Sequence, residues 1–471
     1  MLVLSPPCVD VPPLSLPHPA NAVTTIAATI NADTIFFFIY EKEYLQTLGE
    51  QIVNPHARAS ILAEIQDHIE EQAQDYRASG MSEAVAMQEA VRQMGDPVST
   101  GEALNQVHRP KFPIALFGLA VVLTVLGIAM QYLVYTHLTP DTAILSDTYL
   151  QRTILYNAIG LGLLLLCIFG NYMYLAKGAW ILLAIFLLGL LPPWFFGFYG
   201  RQYTLCYYLA LVYPLVYALL LYRLRDKGAK AIWFLHGLTL LFLVRMLFGT
   251  IITWSTVLAA GCLTLLLLCL AIHRGILTGS SKRTLWLLTV LPYVAAAACF
   301  VILFFQNSYM RDRLTEFLKG SNYVQQMLAL EQQQMLAFGG GTISSYVDTE
   351  SLASTYVLHS IFLWFGIVSG ILVIVALAVL VLRSLHYALH QSNRLALLAG
   401  TAASGILLFE LLHFVLTNLG CSPVYTASVP FLSYGFANSV FNSLLVGIML
   451  GIIRNQNVLS ETTASLRGLR A

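Results

Sequence analysis

Charge is what this chain has least of. Only 10% of its 471 residues are Asp, Glu, Lys or Arg, and the formal net charge is +1. That balance argues against a nucleic-acid partner, because neutralising phosphates needs a basic face and none is visible. Paired cysteines are missing too: the seven Cys are scattered, with no CxxC and no Cys/His cluster, so neither a disulfide framework nor a structural metal site is indicated. Five of them, Cys167, Cys206, Cys262, Cys269 and Cys299, lie in or beside apolar stretches, where a thiol behaves as a small hydrophobe. Residues 1–39 have no basic stretch leading into a clean apolar core, which makes them a poor signal peptide. They read as an unstructured leader and receive no function.

What remains is apolar. Hydrophobic residues make up 58% of the chain and the mean hydropathy is +0.72, well outside the range of soluble proteins. The fold class expected is all-α: a polytopic membrane protein of about ten transmembrane helices with a small cytoplasmic helical N-terminal domain. Spans of about 20 residues are read at 113–135, 151–170, 175–194, 204–223, 231–248, 250–272, 285–305, 353–382, 396–417 and 432–453. The fifth and sixth share only a tight turn near Gly249 and Thr250, so a re-entrant hairpin is the alternative there. Arg109 and Lys111, Lys177, the Arg223–Lys230 group, Arg274 to Arg283, Arg383 with Arg394, and Arg454 all fall on one side under an even span count. Basic residues stay cytoplasmic, so both termini are expected inside, and the 306–352 loop and the Asn418–Pro430 turn outside.

Residues 40–110 differ in composition and read as a soluble helical unit. Ile61, Leu62, Ile65 and Ile69 form an apolar face beside Glu64, Asp67, Glu70 and Glu71. After a break at Gly80, Ser82 is placed to cap a second helix that packs through Ala84, Met87, Val91 and Met94, and Gly95-Asp96-Pro97 ends it. This stretch resembles the helical prefix domain fused to bacterial permeases and sensors, which implies location and regulation rather than chemistry. Residues 111–456 are then the membrane domain and 457–471 a cytoplasmic tail.

The end of the membrane domain carries the most specific pattern. Asn418, Gly420, Pro423, Pro430, Ser433, Tyr434, Gly435, Asn442 and Gly447 follow one another at fixed spacing at the mouth of the last span. Pro and Gly there also suit a plain helix cap. In the long loop, Ser308–Leu318 brings Arg311 and Arg313 beside a span, and forked Arg donors match phosphate oxygens. Gln333 then precedes Gly339-Gly340-Gly341, a run whose backbone can approach an anion closely. Together these elements resemble the SEDS family of bacterial wall synthesis, the FtsW, RodA and SpoVE proteins.

The resemblance implies a peptidoglycan glycosyltransferase of the bacterial cytoplasmic membrane, acting on lipid II and paired with a class B penicillin-binding-protein-type transpeptidase. It implies substrate contacts at Arg311, Arg313, Gln333, Gly339, Pro430, Ser433, Tyr434 and Gly435. No cofactor is implied beyond a divalent cation on the pyrophosphate. The family's key Asp falls on Thr355 here. Glycosyl transfer needs a carboxylate to take the proton of the attacking hydroxyl, so Asp348, and after it Glu350, is the expected surrogate. Other departures are Met310 for an Arg, Leu247 for an Asp, Phe414 for an Asn, Ser428 for a Pro, and Phe436 for a Gly at the mouth. A non-catalytic scaffold or lipid II-binding regulator is the first alternative. The prefix-like domain and Glu410, His413 and Arg245 inside spans, where His359 also lies, support a third reading, an ion-coupled permease.

Overall fold

A computed structural model describes residues 41–53, 55–107, 109–138, 143–191, 202–247, 254–341, 349–423 and 428–456. The described residues fall into two compact units that part after Arg109.

The first unit is four helices: α1 (41–51), α2 (Pro55–Ala78), α3 (Glu83–Gln93) and α4 (Pro97–Val107). Its core joins Leu48 of α1 and Ile52 just after it to Ile61 and Ile69 of α2 and to Ala90 and Val91 of α3, with Leu62, Ile65, Met87 and Met94 packed around it. Ser82 occupies the N-cap position of α3, but its side chain makes no capping bond. Asp96 caps the next helix instead, its Oδ2 accepting the Ser99 N–H at 2.8 Å. Ala86 and Ala90, rather than Ala84, are the buried alanines of α3.

The second unit is helical throughout: α5 (Ile114–Leu138), α6 (Ala143–Phe169), α7 (Met173–Lys177), α8 (Ala179–Gly189), α9 (Gln202–Arg223), α10 (Ala229–Leu247), α11 (Trp254–His273), α12 (Lys282–Gln306), α13 (Ser308–Leu318), α14 (Tyr323–Gln332), α15 (Thr349–Ser354), α16 (Val357–Phe365), α17 (Ile367–Leu389), α18 (Arg394–Asn418) and α19 (Phe436–Arg454). Nine of these, among the described residues, are long and apolar enough to cross a membrane. The protein is an all-α, multi-pass membrane protein.

Two expected spans differ. The third is interrupted at Gly178, leaving α8 with only 11 residues. The eighth is divided into α15, α16 and α17, and Gly366 at φ 89° makes the last break. A side chain at Gly366 would stand 2.6 Å from the Ala337 carbonyl oxygen, so both the dihedral and the space call for glycine. The fifth and sixth spans, by contrast, are full-length helices, α10 and α11. Helices α9, α18 and α19 are largely buried, whereas α12 exposes nearly all of its apolar surface, as a helix facing lipid does.

The basic ends gather at one end of the bundle. The Lys111 N–H donates to the Arg454 carbonyl at 3.1 Å, Arg454 Nη1 to the Ile168 carbonyl at 3.2 Å, and Arg274 Nη2 to the Leu389 carbonyl at 3.2 Å. Deep packing of α19 on α6 depends on missing side chains. A Cβ on Gly447 would lie 2.8 Å from the Cys167 Cβ and 3.0 Å from the Leu164 backbone, and one on Gly451 would lie 2.7 Å from the Cys167 carbonyl oxygen. Gly447→Ala is therefore expected to cost about 1–3 kcal/mol by overpacking. Gly237→Ala, on α10 with nothing within 4 Å, should gain up to about 1 kcal/mol. Thermal unfolding of the full chain in detergent checks the pair.

Candidate functional site

The site forms where the turn before α19 meets α5, α6 and α15. Residues 429–435 build a compact knot. The buried Ser433 hydroxyl accepts the Val429 N–H at 3.0 Å, and Asn438 Nδ2 donates to the Ser433 carbonyl at 2.9 Å and the Val429 carbonyl at 3.3 Å. Phe431 sits at φ 68° and Gly435 at φ 136°; non-glycine residues rarely adopt a positive φ and persist there only when fixed by their surroundings. Gln131 on α5 does that fixing, because its Nε2 donates to the Leu432 carbonyl at 2.7 Å and the Ala353 carbonyl at 2.6 Å. The same Ala353 carbonyl accepts the Tyr434 N–H at 3.1 Å. One amide thus joins the turn, α15 and α5.

Tyr434 projects into an aromatic group. Its ring centroid lies 5.5 Å from Tyr149, 6.0 Å from Tyr135 and 6.1 Å from Tyr156, while Tyr135 and Tyr149 stack at 3.9 Å. Leu328, Leu352, Ala353 and Tyr356 close the cluster from α14, α15 and the segment after it. Burial first, and then the neighbouring Tyr156 and Tyr149 phenols, push the Tyr434 hydroxyl above its ordinary range, with the exposed Arg152 side chain opposing. At neutral pH this hydroxyl is a donor beside a guanidinium, a pairing suited to an anion or a sugar oxygen.

Beside Tyr434 lies a closed crevice, too narrow for a water molecule, where Gln131, Thr153, Tyr156, Asn157, Ser433, Gly435 and Ser439 meet Phe431 and Leu432. The Gln131 Oε1 has no hydrogen-bond partner although Gln131 is buried. On the same two helices lies an open apolar groove of Val125, Ile128, Ala129, Tyr132 and Leu150. Phe436, half exposed, places its ring 5.4 Å from Tyr156 at the edge of the recess.

The sequence-indicated residues divide between two places. Ser433, Tyr434 and Gly435 line the recess, and Pro430 is buried in the knot beside it. Arg311, Arg313, Gln333 and Gly339 do not line it. Arg313 Nε donates to the Pro423 carbonyl at 2.8 Å and Nη1 to the Tyr309 hydroxyl at 2.8 Å, so much of its fork is used to hold a loop. Arg311, Gln333 and Gly339 are exposed. In the glycine run, the Gly341 N–H donates to the Leu363 carbonyl at 2.7 Å, while the Ile367 N–H donates to the Leu336 carbonyl at 2.9 Å. That segment braces the break at Gly366. Glu350 lies on the first turn of α15, and Asp348 lies outside the described residues, as do Phe248 to Thr250. Among the described residues no cluster of three or more His, Cys, Asp or Glu is placed to hold a metal ion.

Asn418 has a structural task that its motif did not reveal. Its Oδ1 accepts the His359 N–H at 2.9 Å and its Nδ2 donates to the Thr355 carbonyl at 2.9 Å and the Phe414 carbonyl at 2.8 Å. It therefore satisfies the backbone where α15 gives way to α16. Asn418→Leu should cost about 1–3 kcal/mol for each buried group left unpaired, and hydrogen exchange at residues 355–360 should rise with it. Beside this clamp, His359 Nε2 and Glu331 Oε2 meet at 2.8 Å, both buried. This pair escaped sequence reading, since 28 residues separate its members. Gln131, Arg152, Thr153 and Asn157 were missed as well. The available signal was polar residues one turn apart at the start of an apolar α6.

Comparison with known proteins bears on the two units separately. A family model described as HAAS matches residues 43–99. No curated protein matches the chain. The chain is similar, with a TM-score of 0.51 and 19% identity, to a chain of the solved structure "Structural coordination of polymerization and crosslinking by a peptidoglycan synthase complex"; the match covers 73% of this chain and 98% of that one. It is also similar to a mutant of the Thermus thermophilus rod shape determining protein RodA, with a TM-score of 0.44 and 16% identity, over 74% of this chain and 99% of that one. The first likeness shows a shared fold.

Proposed function

We propose that this chain binds lipid II, an undecaprenyl-linked disaccharide pyrophosphate, in the recess beside Tyr434 and joins such units into glycan strands. The observation that carries the reading is the pairing of two surfaces on α5 and α6. An apolar groove of Val125, Ile128, Ala129, Tyr132 and Leu150 suits a polyprenyl chain, and the polar crevice of Gln131, Thr153 and Asn157 on the same helices, closed in this structure, offers donors and acceptors to a sugar once it parts. Arg152 and Tyr434 stand at the recess as donors for the pyrophosphate. The SEDS-like fold supports the same reading.

In the reaction a sugar hydroxyl oxygen bonds to the anomeric carbon of a second unit. The bond from that carbon to the pyrophosphate oxygen breaks, and undecaprenyl pyrophosphate leaves. The hydroxyl proton passes to a carboxylate, for which Asp348 is the first candidate and Glu350 the second. Arg152 and the Tyr434 hydroxyl face the charge that develops on the leaving pyrophosphate. On this reading the recess faces the outer side of a bacterial cytoplasmic membrane, with both termini inside and a transpeptidase as partner. The 43–99 unit then serves as a cytoplasmic docking element.

Thr355, at the position of the family's Asp, favours a second reading: a non-catalytic lipid II-binding scaffold. Purified full-length protein given lipid II, a class B transpeptidase and a divalent cation separates the two. Strand formation is the expected result. Binding without strands favours the scaffold, and the absence of both contradicts the proposal.

A further inference from the structure

Beneath the knot lies a carboxyl that the proposed reaction does not use. Glu410 of α18 is 1% exposed and forms no ion pair among the described residues. Its Oε1 accepts from the Ser428 hydroxyl at 3.3 Å, and the Tyr207 hydroxyl of α9 lies 3.2 Å from Ser428 Oγ. Its Oε2 has no hydrogen-bond partner.

The neighbouring amides on α19 are fixed in orientation by what they touch. Asn438 Nδ2 faces two backbone carbonyls, those of Val429 and Ser433. Carbonyls only accept, so the nitrogen must point at them and Oδ1 must point away. That Oδ1 meets Asn442 at 2.6 Å, which requires Asn442 to donate through Nδ2. Asn442 is left presenting its own Oδ1, and this oxygen also has no partner. The Asn442 side chain reaches the Glu410 carboxyl. Glu410 Oε2 and Asn442 Oδ1 thus have no hydrogen-bond partner, while the Tyr207 hydroxyl and the Asn442 side chain approach the carboxyl.

One proton satisfies both. We infer that Glu410 is a proton-binding site, a carboxylic acid whose O–H donates to Asn442 Oδ1 and completes a hydrogen-bond relay through Asn438 to the knot at Val429–Ser433. A bare carboxylate here would face an acceptor inside the membrane with no cation to offset it. The titratable groups around it are Tyr207 and Tyr208 of α9 and, on its own helix, His413 one turn on. Loss of the proton removes the last donor of the relay and loosens the knot that carries Tyr434.

Infrared difference spectra of the full chain in lipid nanodiscs, with carboxyl-labelled glutamate, test this at neutral pH with and without added sodium. The expected result is a protonated-carboxyl band that is lost in Glu410→Gln, is unaffected by sodium and shifts in Asn442→Ala. Glu410→Gln should keep the wild-type melting temperature, because its amide both donates to Asn442 and accepts from Ser428. Should that variant fail to fold, the shift of the band in Asn442→Ala alone decides. Carboxylate bands in place of the acid, an acid band unmoved in Asn442→Ala, or an acid band abolished by sodium would overturn the inference, the last by showing a cation site.

Discussion

Asp348→Asn is expected to lower glycan-strand formation by about 100- to 10,000-fold, the usual worth of a positioned general base, with precursor binding preserved. Position 355 holds a threonine, which cannot take a proton at neutral pH without help. The Thr355 carbonyl is held by Asn418 and the next residues turn directly into α16, so the proposed base is sought in the acids next to it in sequence, Asp348 and Glu350. Helix α15 packs Leu352 and Ala353 into the Tyr434 cluster and fixes the Ala353 carbonyl against Gln131 and Tyr434. Glu350, on the first turn, is the alternative, and Glu350→Gln should have the smaller effect. Strand formation unchanged in both variants and in the double variant would remove the carboxylates from the mechanism. Lipid II turnover, measured together with affinity, separates a lost base from a lost binding group.

Arg152→Ala is expected to weaken lipid II binding by about 10- to 150-fold, because a charge-assisted hydrogen bond is worth about 1.5–3 kcal/mol. Arg152 is exposed, stands at the recess and approaches Tyr434. Arg313 is engaged with Pro423 and Tyr309, so Arg313→Ala should act mainly by loosening the 419–423 loop. Lysine at position 152 should restore only part of the affinity, since an ammonium lacks the paired donors that match a pyrophosphate. Titration of both variants with a fluorescent lipid II at two salt concentrations distinguishes them: only Arg152→Ala should reduce the salt dependence. Equal losses from both would mean that the pyrophosphate lies nearer α13.

The elements of this fold that sequence reveals are those set by local physics. Runs of about 20 apolar residues marked α5, α9, α10, α11, α12, α18 and α19 within a few positions, and the C-terminal end of α6, which begins at Ala143 rather than 151. The third and eighth spans were drawn as continuous because hydropathy does not register a break such as Gly178 or Gly366; only the close approach of Ala337 to Gly366 explains the second. The closing motif was legible as a turn, but the division of labour within it was not. Ser433, read as a substrate contact, also accepts the Val429 N–H within its own turn, whereas Asn418, read only as part of the motif, holds backbone groups 59 and 63 residues away. Gln131 is one polar residue in an apolar helix, and its value appears only when the Ala353 and Leu432 carbonyls meet it. Arg311 and Gln333 stood out by motif, yet the structure leaves both exposed and away from the recess.

The central claim is the location of the precursor, and photocrosslinking measures it directly. A photoreactive side chain placed in turn at Ile128, Tyr156, Gln333 and Leu336 of the full chain, in membranes loaded with lipid II, should capture the lipid through Ile128 and the headgroup through Tyr156. Capture confined to Gln333 and Leu336, with none at Ile128 or Tyr156, would contradict the account.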